Sequence, residues 1–421
     1  MPYRKLLILL FLFYTGHAQS QFVRQKDGQF FIGDQQYKYI GANYWYGIYL
    51  PLQKDTTRGI NRLKYELDFL KAKGVTNLRV LAGAEGSGKI LGNYRVGPSL
   101  QPAKGVFDTS VLYGLDVLLD EMFKRNMKAV IYFSNNWEWS GGFLQYLNWN
   151  GVISDSVLQH KMEWETMRDI ISQFYTCEPC KADYLKQVEV VLSRVNSVNK
   201  KRYVDDPTIM SWQIANEPRP MRPAANEAFA KWIKEVAAYI KSKDNNHLVS
   251  TGSEGTIATE ADLFKTIHSD KNIDYFTIHI WPRNWGWTDS SYVLTQRYIN
   301  ENYQYAKSGG KPLVIEEFGW IRDGLQFTST SPTKERDKYF DLLLSKLTQD
   351  TLSNLAGINF WSFNGKARPL KDQLFWKPGD DYMGDPPMEQ QSLYGVFDSD
   401  SSTWKVIEAH IKLLRQQANR R

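Results

Sequence analysis

Cysteine is nearly absent from this chain, with only Cys177 and Cys180 in 421 residues. A scaffold built on disulfides is therefore excluded. With no second cysteine pair and few histidines nearby, a structural zinc site lacks ligands, and no metal or other cofactor is assigned. Long apolar runs are equally scarce. After Tyr14 no segment is long and apolar enough to span a bilayer, so no membrane partner is expected. Charge of one sign is lacking too, because basic and acidic residues are interspersed and Lys200-Lys201-Arg202 stands beside Asp205 and Asp206. A nucleic-acid partner would need a concentrated basic face. No Gly-x-Gly-x-x-Gly follows the first strand-like run, which argues against a dinucleotide fold, and no repeat or Pro/Ser/Gly linker marks a second domain.

The N-terminus reads as an export signal. Arg4 and Lys5 precede the apolar run Leu6 to Tyr14, and Gly16-His17-Ala18 offers small residues for cleavage. Residues 1 to 18 are taken as the signal and 19 to 421 as one catalytic domain, secreted or periplasmic and monomeric. Cleavage lowers the formal charge from +6 to +4, since that segment holds no Asp or Glu. In an exported chain the Cys177/Cys180 pair is expected to form a local disulfide, rather than a thioredoxin-like redox motif, with a modest effect because the loop is short.

Eight apolar or β-branched runs recur along the chain: 37–42, 77–81, 128–133, 208–215, 247–250, 275–279, 313–316 and 357–361. Segments with apolar residues at three and four spacing lie between them, at 60–73, 111–125, 184–196, 226–242 and 333–347, and a closing helix is expected over 404–416. This alternation predicts an α/β fold, a single (β/α)₈ barrel with long loops after strands three, six and eight.

Two of these runs lead into a carboxylate. Trp212-Gln213-Ile214-Ala215-Asn216-Glu217-Pro218 follows strand four and Leu313-Val314-Ile315-Glu316-Glu317-Phe318-Gly319 follows strand seven. A glutamate there is costly unless it is paired, hydrogen-bonded or used. In such a barrel, side chains at the C-terminal strand ends converge on one face, where two carboxyls can cleave a glycosidic bond. The other reading for either glutamate is a structural ion pair with an arginine such as Arg79. An aromatic content of 14% suits sugar stacking, and it suits a large core equally well.

These strings resemble glycoside hydrolase family 5, within the clan of retaining barrel glycosidases, and most of all its endo-β-1,4-mannanases. The resemblance rests on Gly41-Ala42-Asn43-Tyr44-Trp45, Asn135-Asn136-Trp137 with Gly141-Gly142, Asp206-Pro207-Thr208-Ile209-Met210, Asn216-Glu217-Pro218-Arg219, Glu317-Phe318-Gly319 and Phe360-Trp361-Ser362-Phe363-Asn364-Gly365. It covers nearly the whole mature chain. It implies Glu217 as acid/base and Glu317 as nucleophile, with Glu316 in barrel packing or an ion pair. It further implies Asn216 on the sugar 2-hydroxyl, Arg79 holding the nucleophile ionised, His279 bordering the site and Trp361 stacking the sugar at the cleavage point.

Trp281 stands where many relatives have tyrosine, which removes a hydroxyl near the nucleophile. Arg219 and Trp137 are expected to contact substrate. Trp139, Trp285, Trp287 and Trp376 are equally suited to ligand contact and to loop packing. Asp380, Asp381 and Asp385 match no EF-hand spacing and are read as hydrogen-bonding within a loop. The partner implied is a β-mannan polysaccharide, with a β-1,4-glucan or silent polysaccharide binding as the rival readings.

Overall fold

The computed structural model describes residues 21–287, 290–325, 327–349 and 352–419. The expected signal at 1 to 18 lies outside the described residues. Eight parallel strands form one sheet: β1 (Tyr39–Asn43), β2 (Asn77–Leu81), β3 (Lys128–Tyr132), β4 (Ile209–Gln213), β5 (Leu248–Ser250), β6 (Phe276–Ile280), β7 (Leu313–Phe318) and β8 (Leu355–Phe360). Their ladder order is β5-β4-β3-β2-β1-β8-β7-β6. The gap between β5 and β6 is bridged where Asp274 N donates to Val249 O at 2.8 Å. The result is the expected barrel.

All eight strands are buried along their whole length, as strands with helices outside and side chains inside must be. Their continuous apolar runs follow from that. The helix Thr56–Lys73 shows how local sequence sets the ends: the Asp55 side chain accepts from Arg58 N at 2.9 Å, and Gly74 ends it at φ 85°, the left-handed turn that glycine adopts freely. The closing helix spans Ser401–Ala418. Among the described residues no helix is long and apolar enough to cross a membrane.

Two features go beyond the sequence reading. A small antiparallel sheet of Val23–Lys26, Gln29–Ile32 and Gln35–Gln36 precedes the barrel, and Val23 and Phe30 pack with Tyr39, Met210, Tyr275 and Val314 over its N-terminal mouth. The opposite mouth is thereby left as the open one. The segment after β3 is also not plain loop, since it holds helices Gly142–Trp149, Asp155–Gln159 and Trp164–Ser172. Cys177 and Cys180 are joined in a disulfide at the start of the next helix, Glu178–Leu192.

Candidate active site

Barrel strands and the turns beyond them build the site at the C-terminal mouth. Arg79 is the hub, and it lies mid-strand in β2 rather than at its end. Its guanidinium donates to Glu317 Oε1, to Asn216 Oδ1 at 2.7 Å, to Gln213 Oε1 at 2.8 Å and to Asn43 Oδ1 at 3.2 Å. Its face also lies 4.7 Å from the centre of the Tyr132 ring. A fully buried cation is tolerable only when paired and hydrogen-bonded, and this one is both. It pins the nucleophile candidate and the Asn216 amide in one plane of contacts.

Glu217 sits four residues beyond the end of β4, not at its last position. Its backbone has φ 52°, uncommon for a residue with a side chain, and its N–H donates to Gly252 O at 2.9 Å. Such local strain is typical of functional positions. The Glu217 carboxylate accepts from the Trp137 indole and from His279 Nδ1, the latter at 2.6 Å. His279 Nδ1 is also 3.3 Å from Glu317 Oε2. One oxygen of each glutamate and one imidazole nitrogen lie within 4.8 Å of one another.

Charge follows from this geometry. Burial alone would lower the His279 pKa, but the Glu317 charge, the Glu217 hydrogen bond and the nearby Glu316 carboxylate push it up to about 10. Burial acts upward on Glu217, yet the His279 hydrogen bond and the charges of His279 and Arg219 carry it below the ordinary range. The nearest charged neighbour of Glu217 is thus the His279 imidazole, which favours the ionised carboxylate. Because the folded His279 value lies above the unfolded one near 6.5, its contribution to stability is complete below that pH and is lost as pH rises towards 10. The unfolding free energies of wild type and His279→Gln from pH 5 to 10, from denaturant titrations, should differ most at the acid end, by on the order of a few kcal/mol, and converge at the alkaline end. A constant difference would contradict this assignment.

Glu316 belongs to the barrel interior. It is 1% exposed, accepts from Gln213 at 2.6 Å, and lies 3.8 Å from Arg79, beneath the mouth rather than in the cleft. The cleft, about 470 Å³, is lined by Glu217, Glu317, Asn216, Trp137, Trp281 and Trp361 among others. Arg219 lines it as well, lying 4.8 Å over the Trp137 ring and paired with Glu254. Every residue expected at the site is therefore in the cleft or bonded to a residue that is. Trp139 and Trp285 also line it, whereas Trp287 packs on Trp285 and Tyr298, and Trp376 stacks on Tyr382 in a separate groove. Asp381 pairs with Arg58, Asp380 accepts from Gln373, and Asp385 accepts from the backbone of Tyr394 and Gly395.

Sequence reasoning missed Glu138, Trp164, Glu254, Asn284, Met388 and Glu389 in the cleft lining. None belongs to a strand-end motif, and a loop's return to the mouth leaves no mark in hydrophobic periodicity.

Comparison with known proteins agrees with this geometry. Tomato (Solanum lycopersicum) mannan endo-1,4-β-mannosidase 4 is 31% identical over 284 residues, covering 64% of this chain and 67% of that protein. The crystal structure of a glycoside hydrolase family 5 mannosidase from Rhizomucor miehei overlays with TM-score 0.85 at 30% identity, covering 96% of this chain and 99% of that one. An endo-1,4-β-mannanase from Rhizomucor miehei, 22% identical with TM-score 0.69 over 94% and 100% of the two chains, shares the fold. The family model described as GH family 5 β-mannosidase-like matches residues 20–419. With two glutamates facing each other across the barrel mouth and a family match over nearly its whole length, the chain belongs to glycoside hydrolase family 5 and is a glycoside hydrolase.

Proposed function

We propose that this protein is an endo-β-1,4-mannanase that hydrolyses internal bonds of mannan, glucomannan or galactomannan with retention of configuration. The single observation that carries the mechanism is the pair of glutamate oxygens within 4.8 Å. Inverting enzymes hold their carboxyls roughly 6.5–9.5 Å apart to admit a water, while retaining ones hold them at about 5–5.5 Å. The substrate class rests on the similarity to tomato mannan endo-1,4-β-mannosidases.

In the first step an oxygen of Glu317 attacks the anomeric carbon as the glycosidic bond breaks, and Glu217 gives a proton to the leaving oxygen. His279 Nδ1, at 2.6 Å, is within direct proton-transfer distance of Glu217 Oε1 and supplies the proton that Glu217 delivers. In the second step Glu217 takes a proton from water, whose oxygen attacks the anomeric carbon and releases Glu317. Arg79 compensates the charge that returns to Glu317. Asn216, oriented by Arg79 on its oxygen and by Asn135 Oδ1 at 3.1 Å from its nitrogen, keeps an N–H for the sugar 2-hydroxyl. The site residues contain what both steps need without a cofactor. Export from the cell, following the reading of residues 1 to 18, completes the proposal.

A second reading, removal of sugars from a chain end, is favoured by the shape of the mouth and by the overlay on a mannosidase. The cleft continues past Trp164 and Arg219 into an adjoining pocket, but it shares no lining residue with the 1140 Å³ groove around Tyr49 and Trp376. Viscosity and reducing ends followed together on linear mannan decide between the two. An endo enzyme drops viscosity steeply after a few per cent of bonds are cut; an exo enzyme accumulates mannose while viscosity persists. Activity on carboxymethyl cellulose in place of mannan would keep the mechanism and overturn the substrate.

A further inference from the structure

Three buried polar atoms among the described residues lining the cleft have no hydrogen-bond partner in the protein: Arg219 Nε, Trp361 Nε1 and Glu389 Oε2. Buried polar groups are ordinarily satisfied, so an unpaired set facing a cavity marks where a ligand completes the bonding. The three fall on two sides. Arg219 stacks on Trp137, whose indole holds Glu217, and so belongs with the group that protonates the leaving oxygen. Trp361 follows β8, next to the nucleophile's strand in the sheet, and Glu389 lies in the loop that follows it. The sugar that Glu317 attacks must therefore lie against Trp361 and Glu389.

We propose that Glu389 is a specificity-determining residue of the glycone subsite, its carboxyl and the Trp361 indole N–H together binding hydroxyls of the sugar that Glu317 attacks. This rests on the glycosidase reading above and names the residue that reads the sugar within it. The site chemistry suits the task. Burial, with the charges of Asp385, Glu317 and Glu217, drives the Glu389 carboxyl well above its ordinary range, while the Trp361 indole acts the other way. The carboxyl and the indole N–H together offer the acceptor and the donor that sugar hydroxyls need.

The test uses the full chain with p-nitrophenyl β-mannoside, p-nitrophenyl β-glucoside and free mannose. Glu389→Ala should lower kcat/KM on the preferred glycoside about 100-fold, mostly through KM, and shrink the preference between mannoside and glucoside at least tenfold. Glu389→Gln, which keeps a donor and an acceptor, should recover at least a tenth of the wild-type value. The rise in melting temperature that mannose confers on wild type should vanish in Glu389→Ala. Equal losses on both glycosides, no recovery with glutamine, or an unchanged mannose effect would each overturn the proposal, because a purely structural role predicts them. If wild type cleaves only the glucoside, the mannan reading fails while the Glu389 comparison proceeds on the glucoside with glucose as the protecting sugar.

Discussion

Glu317→Ala should abolish hydrolysis of mannan, lowering kcat by about 10⁴-fold or more, roughly 5.5 kcal/mol of transition-state stabilisation. The chain loses the atom that forms the covalent bond, so the first displacement cannot take place. Glu316→Ala should behave differently. Its carboxylate bonds Gln213 and faces Arg79 inside the barrel, so its loss leaves Gln213 and Arg79 less well paired and lowers stability by about 1–3 kcal/mol. A folded Glu316→Ala enzyme should retain measurable turnover. Reducing-sugar release by the two variants beside wild type, with melting curves for each, checks both statements. Activity lost in Glu316→Ala and kept in Glu317→Ala would exchange the two roles.

Removal of the acid/base has the second largest effect and a more selective one. Glu217→Ala should cut turnover of mannan by about 10²–10⁴-fold, the usual range for a general acid–base residue. Aryl mannosides with acidic leaving groups need no proton to depart, so their first step should survive and the glycosyl-enzyme should accumulate. A small anionic nucleophile such as azide needs no general base and should restore turnover on these substrates, yielding a β-mannosyl azide. Restoration that yields the α-azide would contradict retention, and no restoration at all would place the acid/base elsewhere. His279 gives this variant a further signature. Without Glu217 its Nδ1 loses the 2.6 Å partner and retains Glu317 at 3.3 Å, so the pH dependence of the first step should shift in the variant.

Much of this site was legible before any coordinates. Eight buried parallel strands announce themselves as short apolar runs, because burial on both faces removes the polar alternation. The eight expected runs correspond to the eight barrel strands, with no end displaced by more than two residues. Glu217, Glu317, Asn216, Arg79, His279 and Trp361 were legible for a related reason: they lie in or just beyond strands, where chain position and spatial position coincide on a barrel. The small N-terminal sheet left no comparable trace, since its strands are two to four residues long and half-exposed.

What the amino-acid order decided alone was the strand count, the helix ends set by residues such as Asp55 and Gly74, and which carboxylates lie at the mouth. Folding decided the rest, because it depends on contacts between segments far apart in the chain. His279 reaches Glu217 only because β6 brings an imidazole within 2.6 Å, and no local pattern carries that distance. Glu316 and Glu317 are neighbours in sequence, yet one is bonded beneath the mouth and the other opens into the cleft. Glu389, 72 residues beyond Glu317 and outside every strand, reaches the nucleophile's cavity through the return of the loop after β8. Short-range propensity sets elements, and long-range packing sets which charges meet.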